Sequence, residues 1–236
     1  MSLSVSTKPN HTPELRAQID DWVASLSSSF LSCIVENDDS RVVSSTNRAS
    51  GVEKRQQEYA TGRRCAESLL KKLGNGEQVW TNPDRSPKWP KGFAGSISHS
   101  PNWVWAAVGK SWEVLSIGID TESVATKQTR EQIQFEIATP REMEVCQSIQ
   151  LSTEQIFTVA FSAKEAFFKC CYPLFGEYFG FEHASIESAT NSQLEIKTLP
   201  SHPCLDSMPT SLNVHYIATE SDVFTITWME PTLNGH

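Results

Sequence analysis

An α+β fold built from two similar units, each of roughly 115 residues, is what the sequence predicts. Three observations carry that expectation. The chain has 236 residues, which allows one large domain or two small ones. Its apolar patterning runs helix, strand, helix, strands, then helix and strands again. The two strongest helical stretches also share a frame, Glu67-Ser68-Leu69-Leu70-Lys71 and Glu165-Ala166-Phe167-Phe168-Lys169, a hint of internal duplication.

The elements follow in order. Thr12 can cap a helix and Pro13 suits its first position. Leu15, Ile19, Trp22, Val23 and Leu26 then form a helical stripe. The apolar run Leu31 to Val35 reads as a strand, and the Ser-, Asp- and Asn-rich stretch Glu36 to Gly51 as a loop. A long helix is expected from about Val52 to Leu73, stopped at Gly74-Asn75-Gly76. Three prolines and two glycines make Thr81 to Gly95 an extended, turn-rich segment. Strands are expected over Trp103 to Val108 and over Val114 to Ile119, the second ending at Asp120. Thr126 to Gln150 looks helical but broken at Pro140, and Thr153 to Cys171 forms a helix stopped by Pro173. Alternating stretches such as Val223 to Trp228 read as antiparallel strands filling Phe181 to Met229.

Composition limits the function classes. Hydrophobic residues make up 39% and charged residues 20%, which fits a folded globular protein rather than a disordered chain. The net charge is −8 and the isoelectric point near 5.3, so a general nucleic-acid binder is not expected. An anionic ligand held by a local basic pocket stays open. The six cysteines form no C-x-x-C pair and no metal-ligand spacing, which fits reduced thiols. Met1 to Asn10 lacks the apolar core of a signal peptide, and no apolar run is long enough to span a membrane. The expectation is a cytoplasmic protein without membrane insertion.

Four segments could carry chemistry. In Ile117-Gly118-Ile119-Asp120-Thr121-Glu122, strand alternation puts Asp120 and Glu122 on one face. They are either solvated carboxylates at a strand exit or a pair that repels unless a cation lies between them. Oxygen ligands of this kind suit Mg²⁺. In the helix Phe161-Ser162-Ala163-Lys164-Glu165-Ala166-Phe167-Phe168-Lys169, Glu165 and Lys169 stand one turn apart, as an ordinary ion pair or as part of a site. Lys164 falls inside the stripe of Phe157, Phe161 and Phe168, so it must snorkel or find an anion. Gly95-Ser96-Ile97-Ser98-His99-Ser100 offers small residues, hydroxyls and an imidazole suited to a phosphate. Lys54-Arg55 and Gly62-Arg63-Arg64 are basic clusters two helical turns apart, a solvated face or an anion grip.

Together and in this order the four resemble the phosphopantetheinyl transferases of the enterobactin-synthetase and surfactin-synthetase type. The resemblance spans about Val52 to Lys169. It rests on Gly62-Arg63-Arg64-Cys65-Ala66, on Trp89-Pro90 through Ser100, on Ile117 through Glu122, and on Phe161 through Lys169. It implies two α+β halves, residues 1–113 and 114–236, related by a pseudo-twofold axis with the active site in the cleft between them. It implies transfer of phosphopantetheine from coenzyme A to a serine of an apo acyl or peptidyl carrier protein. The leaving product would be adenosine 3′,5′-bisphosphate. Asp120, Glu122 and Glu165 would hold Mg²⁺, with Glu165 also taking the serine proton and Lys169 holding the pyrophosphate. His99, Arg63 and Arg55 would bind the 3′-phosphate end of coenzyme A. Ser98 and Lys164 belong to the same binding set, and Arg85 would sit near the adenine. A monomer suffices, because one chain forms its own cleft.

Siderophore or other nonribosomal peptide synthesis is the expected setting. The acidic surface leaves carrier docking to an apolar patch or to Lys127, Arg130 and Arg141. One alternative is a degenerate homologue that binds coenzyme A or a carrier protein without chemistry. Another is an unrelated magnesium-dependent phosphotransferase, but no Walker or Rossmann glycine pattern is present.

Overall fold

The computed structural model describes residues 13–37, 51–199 and 211–231. The predicted cap Thr12 and most of the predicted loop Glu36 to Gly51 lie outside the described residues. Helix α1 (Pro13–Leu26) leads to strand β1 (Phe30–Glu36), and α2 (Gly51–Lys72) follows. A two-residue hairpin, β2 (Trp80–Thr81) and β3 (Pro87–Lys88), occupies the turn-rich segment. Then come β4 (Phe93–His99), β5 (Trp103–Lys110) and β6 (Ser116–Ser123). Helices α3 (Lys127–Ile137), α4 (Pro140–Cys146) and α5 (Thr153–Phe175) precede β7 (Ala184–Ala189), β8 (Gln193–Thr198), β9 (Ser211–Ala218) and β10 (Asp222–Met229).

Two boundaries differ from the sequence expectation. Strand β6 continues through Asp120 and Glu122 to Ser123, because the antiparallel partner β10 pairs with it over that whole length. Both carboxylates therefore stand on regular strand. Helix α5 runs through Pro173 to Phe175. A proline so near a helix end removes one ladder bond only, and Gly176, at φ 69°, closes the helix by donating its N–H to Tyr172 O at 2.9 Å. Pro140 opens α4 at its first turn behind a Thr139 capping box, so it starts a helix rather than merely ending one.

The strands form two main antiparallel sheets, ordered β1-β5-β4 and β6-β10-β9-β8-β7. Their edges β4 and β6 run side by side in the same direction. They are joined by side chains instead of a backbone ladder. Ser96 Oγ accepts from Ile119 N at 3.2 Å, and Ser98 Oγ accepts from Thr121 N at 3.3 Å. Two short hydroxyl residues on β4 thus satisfy edge N–H groups that would otherwise be buried without partners.

Alternation along the strands divides the core into faces. Trp103, Trp105, Ile117, Ile119, Phe224 and Ile226 point to the α1 side and pack with Ile19 and Val23. Phe224 stands edge-on to both tryptophans, with centroids 5.8 and 6.1 Å away, so one core spans both sheets. The opposite face is covered twice. Cys65, Ala66, Leu69 and Leu70 of α2 cover Ala106 and Val108. Ala163, Ala166, Phe167 and Cys170 of α5 belong to the cluster with Leu194, Ile196, Val214 and Val223.

Gly118 sets how closely α5 approaches β6. A Cβ there would overlap the Ala166 carbonyl oxygen and the Cys170 backbone. Backbone cannot swing aside as a flexible side chain can. Gly118→Ala is expected to destabilise the protein by about 1–3 kcal/mol through forced repacking. Urea denaturation checks this; an unchanged midpoint would contradict the close approach.

Candidate active site

Asp120 is the node of the site. It lies on β6 under α5, 2% exposed, with each carboxylate oxygen held. Oδ1 accepts from Ser98 Oγ at 2.8 Å and from Lys169 Nζ at 2.6 Å. Oδ2 accepts from Ser162 Oγ at 2.8 Å. Lys169 Nζ also reaches Ser98 Oγ at 3.1 Å. The lysine thus turns to Asp120, across the helix–strand contact, rather than to Glu165 one turn away on its own helix.

Glu122 shares the α5-facing side of β6 with Asp120, two residues on. Burial, then the charge of Asp120, push its carboxyl up to about 8 against the pull of Lys169; Glu165 adds to the rise. The Glu165 carboxyl is also raised, chiefly by burial, with Lys169 opposing and Asp120 contributing. Lys169 is shifted upward as well: burial opposes its charge, but Asp120, Glu165 and Glu122 outweigh it. Three carboxylates therefore crowd around one ammonium, an excess of negative charge in a partly dry place. Among the described residues no three His, Cys, Asp or Glu side chains close into a ready metal cage. Carboxylate oxygens are nonetheless the donors that Mg²⁺ takes, together with waters and substrate phosphate. The donor chemistry suits it.

Lys169 also lines a cavity of about 670 Å³. Its walls include Asn82, Arg85 and Lys88 of the β2–β3 hairpin, Trp89, Gly95 to Ile97 of β4, and Phe168, Tyr172 and Tyr178. Gly95 lets the Trp89 ring lie against β4, since a Cβ would press on that ring and on Ala107 O. Tyr172 Oη donates to Asp84 Oδ2 at 2.6 Å, tying the hairpin to the end of α5. Arg85, in the same turn, sits at φ 72° and is exposed.

Two basic groups stand on the α2 side. Arg63 is 8% exposed, with its guanidinium 4.9 Å over the Tyr59 ring. Its Nη2 donates to Thr81 Oγ1 at 3.3 Å, and Tyr59 and Thr81 hydroxyls also contact each other. Its Nη1 is buried and finds no acceptor among the described residues. His99 is half-exposed, its Nδ1 3.4 Å from Glu58 Oε2. Glu58 is in turn held by Asn37 Nδ2 at 3.1 Å. Arg55 is exposed on α2, about 12 Å along the axis from Arg63.

The structure thus gathers Asp120, Glu122, Glu165, Lys169 and Ser98. It leaves His99 and Arg63 as separate stations beside α2, and Arg55 and Arg85 on the surface. Two expected coenzyme A binders are placed differently. The Lys164 ammonium is buried, 2.7 Å from Glu142 Oε1, and donates to Ile137 O at 2.9 Å and Phe181 O at 3.3 Å. Its three donors are committed within the fold. The Ser98 hydroxyl is likewise turned inward to Asp120, Lys169 and the β6 backbone. The three docking candidates have carboxylate partners of their own: Lys127 with Glu131, Arg130 with Glu154, and Arg141 with Glu187.

Sequence reasoning missed Ser162, Glu58, Thr81, Tyr59 and Lys88. Glu58 carried a usable signal: an acidic residue one turn before Gly62, on the helical face that buries Gly62, Cys65 and Leu69. The others depend on contacts between distant segments and had none.

Comparison with known proteins bears on this arrangement. A family model described as the 4′-phosphopantetheinyl transferase N-terminal domain matches residues 44–109, and that of the 4′-phosphopantetheinyl transferase superfamily matches 116–218. The chain is 34% identical over 139 residues to the 4′-phosphopantetheinyl transferase Npt of Nocardia iowensis, covering 58% of this chain and 61% of the relative. It is 30% identical over 150 residues to enterobactin synthase component D of Salmonella typhimurium, covering 62% and 61%. It is 34% identical over 145 residues to the 4′-phosphopantetheinyl transferase PptT of Mycobacterium tuberculosis, covering 61% and 63%. The matches therefore span about three-fifths of these relatives. One family matches on both sides of the junction between β5 and β6, and the matched segments contain every residue of the carboxylate–lysine node: the chain belongs to the 4′-phosphopantetheinyl transferase superfamily.

Proposed function

We propose that this protein transfers the phosphopantetheine group of coenzyme A to a serine of an apo carrier protein, with Mg²⁺. One observation carries the reading: the crowded carboxylates Asp120, Glu122 and Glu165 meet Lys169 at the wall of a cavity with basic residues along it. Phosphoryl transfer needs positioning and charge neutralisation above all, and this arrangement supplies both.

Asp120 and Glu122, with Glu165, would hold the metal, which when bound offsets charge on the pyrophosphate. Lys169 sits between the carboxylates and the cavity, so its ammonium would steady the pyrophosphate. Glu165, with a raised proton affinity, would take the proton from the attacking serine hydroxyl. The serine oxygen bonds to the pantetheine-side phosphorus as the phosphoanhydride bond breaks. The electron pair leaves with adenosine 3′,5′-bisphosphate. Arg63 and His99 would take the 3′-phosphate, and the unpaired Arg63 Nη1 supports that role. Arg85 and Lys88 would flank the nucleotide, and Arg55 would add charge from the surface.

The same reading divides the chain into halves 1–113 and 114–236, and places it in the cytoplasm as a monomer. The carrier would be one of siderophore or other nonribosomal peptide synthesis; the relative named enterobactin synthase component D supports that setting. The nucleotide assignment is tested by calorimetry. Arg63→Leu is expected to weaken coenzyme A about ten- to hundredfold, the loss of one charged hydrogen-bonding partner, and to leave 3′-dephospho-coenzyme A unchanged. Equal weakening of both ligands would remove Arg63 from the 3′-phosphate. The reading as a whole requires release of adenosine 3′,5′-bisphosphate that depends on an apo carrier; tight coenzyme A binding with no release would mark a binding module instead.

A further inference from the structure

We propose that Ser162, backed by Thr225, is a positioning residue that aims Asp120 at the metal; the proposal rests on the magnesium reading above. An ionised carboxylate offers about four acceptor directions on its two oxygens. On Asp120 three are filled: Oδ1 by Ser98 and Lys169, and Oδ2 by Ser162. One direction remains, on Oδ2, and the Ser162 hydroxyl determines which it is.

Ser162 is fully buried, so it cannot touch a substrate. Nor does it bond back to its own helix, the usual fate of a mid-helix serine. Its hydroxyl crosses from α5 to β6. Thr225, fully buried on β10, fixes it from behind: its Oγ1 lies 2.9 Å from Ser162 Oγ and donates to Ser162 O at 3.0 Å. Two neutral hydroxyls thus lock a carboxylate between three elements and leave it one open acceptor direction. A ligand oriented in this way binds metal more tightly, and loss of such a partner typically weakens metal about 10–100-fold.

The test uses Mn²⁺ as the probe, titrated by electron paramagnetic resonance into the full chain with coenzyme A present. Ser162→Ala is expected to raise the Mn²⁺ dissociation constant about tenfold or more. The affinity for coenzyme A without metal should stay at the wild-type value, which a general structural defect would not spare. Wild-type Mn²⁺ affinity in S162A would overturn the proposal alone. No Mn²⁺ binding by the wild-type protein would overturn the magnesium reading and this proposal with it. If S162A does not fold, Thr225→Val, nearly isosteric, carries the test: weaker Mn²⁺ binding supports the role, and unchanged binding overturns it.

Discussion

Glu165→Gln is expected to lower kcat for carrier modification about 10²–10⁴-fold, the usual contribution of a positioned general base, without loss of fold. The two halves of that statement have one physical origin. Glu165 is held among Asp120 and Glu122 in a partly buried place that disfavours its charge. Neutralising it relieves repulsion in the metal-free protein, so its melting temperature should hold or rise. On the proposed mechanism the same change removes the proton acceptor and a metal donor, so turnover should fall. Initial rates at saturating Mg²⁺ and coenzyme A, with a thermal melt alongside, separate the two. A near wild-type rate would remove Glu165 from the chemistry; a collapsed melt would mean that it serves the fold.

Its sequence neighbour should behave in the opposite way. Lys164→Met is expected to cost about 3–5 kcal/mol of stability, the effect of breaking a buried ion pair by removing one partner. Coenzyme A affinity should be unchanged in the protein that remains folded. Glu142 is 4% exposed in the wild-type fold. It still accepts from Thr139 N, Thr139 Oγ1 and Ile186 N, so the carboxylate would keep three donors but lose its countercharge. Burial works to raise the Glu142 carboxyl, but the bonds to Lys164, Thr139 and Ile186 more than offset it, and the net shift is downward. A lowered carboxyl contributes stability that is present above its unfolded value and lost as pH falls through its folded one. Wild-type stability should therefore drop in acid below the ordinary glutamate range. K164M should lose much of that acid-sensitive part. Denaturant titrations at neutral and acidic pH check both points, and a weakened coenzyme A affinity in stable K164M would restore Lys164 to the binding set.

The sequence made the carboxylate face readable because strand periodicity is strict. Asp120 and Glu122 share a face whether the strand ends at one or runs past the other. It also identified Lys164 as a cation inside an apolar stripe that had to snorkel or find an anion. The anion proved to be Glu142 on α4, because α4 packs against the side of α5 that carries Lys164. Local pattern shows that a charge is buried, but the partner depends on which segments meet. Ser162 and Ser98 illustrate the same limit. Their hydroxyls matter because β4 and β6 meet edge to edge and because Gly118 lets α5 close on β6. Helix α5 outran its predicted stop because a proline in the last turn removes only one ladder bond.

The central claim is transfer, and intact mass spectrometry of an apo carrier protein tests it most directly. Incubated with this chain, coenzyme A and Mg²⁺, a carrier of a nonribosomal peptide synthetase should gain one phosphopantetheine group. The gain should vanish with chelator, with Glu165→Gln, and with the carrier serine changed to alanine. No gain on any of several carriers, from a chain that is folded and binds coenzyme A, would contradict the account.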